Sequence, residues 1–260
     1  MCSSEVVRAA LAGVVPAQEL SPTARFGGEG APFRHVADLT HTLSARFPVF
    51  PFYEPFEARR LAGVEEDGWG AHELRFAEHT GTHLDAPAHF FADGATTELL
   101  PVSRFVAPLV VVSIAERTGR VEDALLTVDE LADWERRHGR IPEAAVVALH
   151  TGWEARLADP ARFLNADASG VMHGPGFGRD AMEWLVHERS IAGAAIDTLS
   201  LDFGPSTTYE AHRVLLGAGR YGLENVANLA TIPPSGATLV VGAPKHEGGT
   251  GGPARLLALY

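Results

Sequence analysis

Residues 79–89 read His79-Thr80-Gly81-Thr82-His83-Leu84-Asp85-Ala86-Pro87-Ala88-His89. Three imidazoles and one carboxylate fall within eleven positions, a density that packing alone does not require. If buried, each of these groups needs a partner, because a desolvated polar group without one is costly. Imidazole nitrogen and carboxylate oxygen suit Zn²⁺, Mn²⁺ or Fe²⁺. No thiolate lies nearby, which excludes a closed cysteine-type zinc site. His79 and His83 are four apart, as are Asp85 and His89, so each pair could share a helix face. Gly81 and Pro87 argue against one continuous helix. The better reading is a turn through Gly81 and then a strand edge, with His83 and Asp85 on one side at the two-residue period. Asp85 has two oxygens and can bridge two cations. Three or four ligands from one segment leave coordination positions open, as a catalytic metal requires.

The flanking sequence reads as an α/β chain with a mixed sheet. Phe33–Leu39 is expected to be a strand leading into Asp38-Leu39-Thr40-His41. Leu109–Ile114, Ala144–Leu149, Ala192–Ile196 and Thr238–Val241 are short apolar runs bounded by turn residues, the pattern of buried strands. Helices alternate with them. Thr127 followed by Glu130 is a capping box opening a helix to His138, and Gly139 and Pro142 end it. Arg179–Arg189 is a second amphipathic helix. Val6–Ala12 is expected to be a short helix and Ser21–Pro32 a loop. There is no repeat or internal linker, so residues 1–260 read as one domain, with 1–32 peripheral.

The chain has 260 residues, 46% hydrophobic and 21% charged, enough to bury a core without staples. Its formal charge is −12, from 33 acids against 21 bases. That balance argues against nucleic acid as a partner, since phosphate binding needs clustered bases. The single cysteine, Cys2, excludes an internal disulfide. No run approaches the ~18 apolar residues of a membrane span. No basic stretch leads into an apolar one at the N-terminus, so a cytoplasmic protein with a small-molecule partner is expected.

A second stretch, Tyr209–Leu229, carries His212 and Glu224 on either side of an apolar run and a glycine turn. By itself the pair is weak evidence, because Glu224 could simply start a following helix, where its charge suits the N-terminal dipole. Gly217, Gly219 and Gly222 formally spell GxGxxG. A dinucleotide site would need a preceding strand, a following helix and an acid some 20 residues on. The region near Leu239 has no acid, and Pro233-Pro234 cuts any such helix short. The glycines instead read as the turn returning Glu224 toward His212. His72, His138, His150, His173, His187 and His246 read as surface or hydrogen-bonded histidines. The Asp197–Asp202 segment follows a strand and reads either as a site border or as a capped turn. Trp153 faces either pocket or core.

The 79–89 motif resembles the signature of the cyclase-like metal hydrolases, the family of bacterial kynurenine formamidase and isatin hydrolase. The resemblance runs from Asp38-Leu39-Thr40-His41 to the strand at Gly236–Lys245. In that family a downstream histidine and a glutamate twelve residues later complete a two-metal site, and His212 and Glu224 match the spacing. The resemblance implies that His79, His83, Asp85 and Glu224 hold one ion. Asp85, His212 and Glu224 hold the other, with both carboxylates bridging. It leaves His89 off the metals as general acid/base. Zinc is the first choice of metal, with manganese or iron as alternatives. The formamidases carry a Pro-x-Trp-Pro-Gly-Asp segment that offers a tryptophan to the substrate. Here Pro48-Val49-Phe50-Pro51-Phe52-Tyr53 places Phe50 in that substrate-binding role and lacks the Gly-Asp, so the pocket differs. The implied fold is a swivelling β/β/α domain, and the implied assembly a homodimer or homotetramer.

The expected function is hydrolysis of a small amide, lactam or lactone by metal-activated water, with His89 moving the proton. Two rivals use the same residues. One is a cyclase acting on a polyketide-like substrate through an enolate. The other is a metal-carrying protein without turnover, in which an unligated imidazole such as His89 would have no task.

Overall fold

The runs expected as buried strands serve two cores at once, and that double duty builds the scaffold. In the strand Val146–His150, Val146 and Ala148 join one apolar cluster, while Val147 and Leu149 join another on the opposite face. Side chains alternate across a strand, so a sheet covered on both faces reads as continuous apolar sequence. The computed structural model describes residues 23–25 and 33–260. The mixed α/β class expected from the sequence is what it contains.

In chain order the strands are β1 (Thr23–Arg25), β2 (His35–Asp38), β3 (Glu57–Ala62), β4 (Ala71–Arg75), β5 (His83–Asp85), β6 (Val106–Ser113), β7 (Leu125–Leu126), β8 (Val146–His150), β9 (Gly176–Phe177), β10 (Gly193–Ile196), β11 (Tyr221–Glu224), β12 (Ala237–Gly242), β13 (Gly251–Pro253) and β14 (Arg255–Leu259). The longer helices are α1 (Val128–His138), α2 (Arg179–Glu188) and α3 (Glu210–Gly217). Ten strands form one sheet in the order β1-β2-β14-β12-β6-β8-β10-β11-β5-β13. β6, β8, β10 and β11 are parallel neighbours, and the flanking pairs are antiparallel. Leu131 and Trp134 of α1, Met182 and Leu185 of α2 and Leu215 of α3 cover one face. The Trp134 indole donates to the Val111 carbonyl at 2.9 Å.

The four apolar runs correspond to β6, β8, β10 and β12, and both expected helices form. The capping box is intact: the Thr127 side chain accepts from the Glu130 amide, and the Glu130 carboxylate accepts from the Thr127 amide. Three local expectations change. Within the stretch expected as loop, Thr23–Arg25 pairs antiparallel with β2. That pairing uses backbone groups at a sheet edge, which composition does not reveal. Glu224 ends strand β11 and does not start a helix. The GxGxxG glycines run from Gly217, the last residue of α3, to Gly222 within β11, the reverse of the strand-then-helix order a dinucleotide site needs. The helix expected at Val6–Ala12 lies outside the described residues. Of the segment expected as peripheral, 1–32, only 23–25 are described, at the outer edge of the sheet. The β3–β4 hairpin was not foreseen, because among the described residues its side chains are exposed save at Ala62 and Ala71, and its sequence lacks apolar alternation.

The Asp38–His41 segment ties the sheet edge to the site. Asp38 accepts two bonds from the Arg255 guanidinium at 2.6 and 3.0 Å, joining β2 to β14. The His41 amide donates to Thr82 Oγ1 at 2.9 Å, and that hydroxyl donates to the Asn225 carbonyl at 2.6 Å. The His41 ring is nearly buried, and its Nε2 lacks a hydrogen bond. Burial pushes His41 down to about 4, against the opposing charge of Asp38. Glu154 is the other facing carboxylate, 3.9 Å away. A folded value below the unfolded one means the contribution of neutral His41 is complete above about pH 6.5 and is lost as pH falls toward 4. This amounts to about 3 kcal/mol. Urea titrations of His41→Gln are therefore expected to show a flatter loss of stability between those pH values than the parent. An identical slope would remove His41 as the acid-sensitive group.

Candidate metal centre

Register places the candidate donors. β5 lies between β11 and β13, with Glu224 opposite His83, and with Gly222 and Gly251 on either side of Asp85. Leu84 and Leu223 face the apolar cluster on one side of the sheet, so His83, Asp85 and Glu224 share the other. The two glycines make room. A Cβ on Gly251 would sit 2.5 Å from His79 Cε1, and one on Gly222 would sit 3.3 Å from Asp85 Oδ2. Gly81 adopts φ 69°, the left-handed turn that brings His79 back over the strand. α3 supplies His212 from its first turn, and Pro87 opens the short 3₁₀ turn that carries His89.

The structure brings His79, His83, Asp85, His212 and Glu224 together, all but His79 well below a tenth exposed. Asp85 Oδ1 lies 2.6 Å from His79 Nδ1 and 3.4 Å from His83 Nε2. Asp85 Oδ2 lies 3.4 Å from His212 Nε2. Glu224 Oε2 is 3.3 Å from His83 Nε2, and Oε1 is 3.0 Å from His212 Nε2. Each carboxylate thus divides its oxygens between the His79/His83 side and the His212 side. Leu201 N also donates to Glu224 Oε1 at 2.7 Å. His79, His83 and Asp85 have donor atoms within 4.8 Å of one another, and so do Asp85, His89 and His212.

Two histidines have their remote nitrogen tied down. His83 Nδ1 donates to the Gly81 carbonyl at 2.8 Å, and His212 Nδ1 to Asp202 at 2.6 Å. Both bonds turn Nε2 toward the Asp85 and Glu224 carboxylates, the arrangement found around metal-ligating histidines. Asp202 was not singled out from the sequence beyond its place in the polar 197–202 segment. It also accepts from the Ala211 and His212 amides, so one carboxylate both caps α3 and orients its histidine. Asp197, in the same segment, is structural: it accepts from the Thr151 amide and hydroxyl and from the Gly152 amide.

The electrostatics fit a cation. Asp85 Oδ2 is buried without a hydrogen bond. Burial opposes charge on His83, yet the Asp85 and Glu224 carboxylates outweigh it and push His83 up to about 10. Burial likewise opposes charging His212, and its bonds to Asp202, Asp85 and Glu224 raise it well above the usual histidine range. Two buried carboxylates therefore draw protons onto His83 and His212, and a divalent ion bound there takes the place of those protons. Burial pushes His89 the other way, down to about 4. Its ring stacks on His79 at 3.8 Å and meets Phe90 at 4.9 Å.

Above the cluster is a cavity of about 250 Å³ walled by Phe50, Phe52, Tyr53, Phe90, Leu199 and Tyr209. Tyr209 holds a left-handed backbone (φ 52°), unusual for a residue with a large side chain. Burial, and then the Asp85, Glu224 and Glu78 charges, raise the Tyr53 phenol and keep it protonated. A narrower cavity of about 50 Å³ adjoins past Phe50, Leu199, Ser200 and Tyr209. Trp153 is buried, with its indole donating to the Phe163 carbonyl at 2.8 Å, and it also lines this second cavity.

Nitrogen and oxygen donors on a mixed sheet, beneath an aromatic-lined cavity, define a metal-dependent hydrolase. The chain belongs to the Cyclase family, whose model, described as "Putative cyclase", matches residues 37–203. It is 34% identical over 242 residues to isatin hydrolase of Roseibium aggregatum, covering 86% of this chain and 91% of that protein. It is 28% identical over 229 residues to kynurenine formamidase of Salinibacter ruber, covering 85% and 95%. The solved structure of isatin hydrolase A from Ralstonia solanacearum superposes with a TM-score of 0.83 at 40% identity, covering 86% of this chain and 91% of that one.

Replacing Asp202 by Asn keeps its shape and removes the charge that orients His212. Calorimetric titration of metal-free Asp202→Asn with Zn²⁺ is expected to give about 10- to 100-fold weaker binding than the parent. Unchanged affinity would mean that Asp202 serves the helix alone.

Proposed function

We propose that the protein hydrolyses the carbon–nitrogen bond of a small aromatic amide or lactam, with an aryl lactone as the ester counterpart. The observation that carries this reading is the division of the Asp85 and Glu224 oxygens between two sets of imidazoles beneath an aromatic cavity. The relatives named isatin hydrolase and kynurenine formamidase support the amide side of it. His79, His83, Asp85 and Glu224 would hold one divalent ion, and Asp85, His212 and Glu224 a second. Zinc is the first choice, and manganese and iron suit the same donors. When bound, such ions polarise a carbonyl and make water nucleophilic at neutral pH.

The remaining work falls to the chain. Phe50, Phe90 and Tyr209 hold a flat acyl group and keep bulk water out. Phe50 lies between the two cavities, so it limits how far a substituent on the ring can reach. His89 is the acid/base that returns a proton to the leaving nitrogen. Its support is a contrast. His83 and His212 have their outer nitrogens tied to the protein, whereas no hydrogen bond among the described residues fixes the His89 ring, leaving it free to change protonation state.

The reading extends to a cytoplasmic enzyme whose partners are a small-molecule substrate and its own copies, with neither nucleic acid nor membrane. Among the described residues no helix is long and apolar enough to cross a membrane. Leu61, Trp69 and Leu74 on the β3–β4 hairpin are each more than half exposed. An isolated two-stranded hairpin is marginal in water, which supports its burial against a second copy in a homodimer or homotetramer.

Two outcomes are expected. His89→Ala should lower kcat on formanilides, isatin-like lactams or aryl lactones by about 100- to 10,000-fold while retaining its metal. Undiminished turnover would remove His89 from the chemistry. Turnover in ¹⁸O water should place label in the product carboxylate, whereas ring closure through an enolate would leave the product unlabelled.

A further inference from the structure

A run of polar groups outside the cavity has no task in the reaction above. Glu78, the residue before His79, accepts the Thr250 hydroxyl proton at 2.5 Å and the Thr250 amide at 3.2 Å. Its other partner is His246 Nε2 at 2.6 Å. Thr250 Oγ1 in turn lies 3.0 Å from His79 Nε2. Donors and acceptors along this chain fix one proton of His79. A carboxylate only accepts, so the single Thr250 hydroxyl proton is committed to Glu78. Thr250 Oγ1 can then only accept from His79, so the His79 proton sits on Nε2. Nδ1 is then the nitrogen that faces Asp85 Oδ1, at 2.6 Å, and it offers its lone pair once a metal ion displaces any proton held there. A proton or a metal ion must stand between two groups that close.

The three candidate histidine ligands are thus fixed by three different partners. His83 uses a carbonyl of its own turn and His212 uses Asp202, each through Nδ1. His79 is held through Nε2, by a residue 171 positions away that directly precedes β13.

We propose that Glu78 and Thr250, braced by His246, are positioning residues that lock His79 in the tautomer offering Nδ1 to the divalent cation. The inference rests on the reading of His79 as a ligand. It gives the segment before β13 a function: the end of the chain completes the outer shell of the metal centre. Ion occupancy and order in that segment then depend on each other.

The test compares Thr250→Val, Thr250→Ser and Glu78→Gln with the parent, each loaded with Zn²⁺ and titrated with a chelator. Thr250→Val is expected to bind the ion about 10- to 100-fold more weakly, while Thr250→Ser keeps the parent affinity. Glu78→Gln, which leaves Thr250 in place, is expected to fall between them, and it carries the test if Thr250→Val fails to fold. In ¹⁵N spectra of the zinc-loaded parent, His79 should carry its proton on Nε2. Hydrogen exchange at the Thr250 amide should slow when Zn²⁺ binds. Parent affinity in both Thr250→Val and Glu78→Gln, or a proton on His79 Nδ1, would overturn the proposal. His79→Ala separates the two levels. If it binds Zn²⁺ as the parent does, the ligand reading itself fails; if it loses the ion and Thr250→Val does not, only the positioning role fails.

Discussion

Two carboxylates, Asp85 and Glu224, face the same point inside a sheet, and much of the local architecture follows from keeping them there. Neither is solvated, and each repels the other. Like charges buried together are tolerated only when cations or protons stand between them. His83 and His212 supply protons when nothing else does, and a divalent ion supplies positive charge with fixed geometry. The constraint reaches into the backbone. Glycine faces Asp85 on both neighbouring strands, although glycine weakens a strand interior, because a side chain there would meet the donors.

The strand order explains how so small a set of residues converges. β5 contributes three residues to the sheet, too few to hold its place alone, and it is clamped between β11 and β13. β11 brings Glu224 opposite His83, and β13 follows directly on Thr250. One short strand therefore joins the 79–89 motif, the second acidic donor and the end of the chain. The helix layer adds His212 through a first turn whose amides and imidazole share Asp202. Local stability and site geometry are coupled, since the bonds that end a helix or close a loop also aim a nitrogen.

The histidines divide by how they are held. Those with one nitrogen bonded to the protein have a set tautomer and a fixed lone pair. The His89 ring meets those of His79, Phe90 and His212, has no hydrogen bond among the described residues, and stands at the cavity wall. Rigid neighbours and one unrestrained imidazole are what a reaction with a moving proton needs. Aromatic side chains wall the space over the cluster, and the left-handed backbone at Tyr209 is a local irregularity of the kind found where a site is built.

The 79–89 motif was legible because its donors lie close in sequence, and the turn through Gly81 and the two-residue period of His83 and Asp85 follow from local backbone rules alone. The buried strands and capped helices were legible for the same reason: apolar periodicity and cap chemistry act over a few residues. His212 and Glu224 became readable only through a family spacing, and by itself Glu224 was open to being a helix start. Asp202, Glu78 and Thr250 carry no local mark, since a carboxylate or a hydroxyl near a turn usually serves that turn. The β3–β4 hairpin lacked a pattern because, among the described residues, its side chains are exposed save at Ala62 and Ala71. Sequence determined which atoms could bind a cation and which runs could be buried. Tertiary structure alone decided which nitrogen of each histidine faces inward, because that choice is made by hydrogen-bond partners up to 171 residues away.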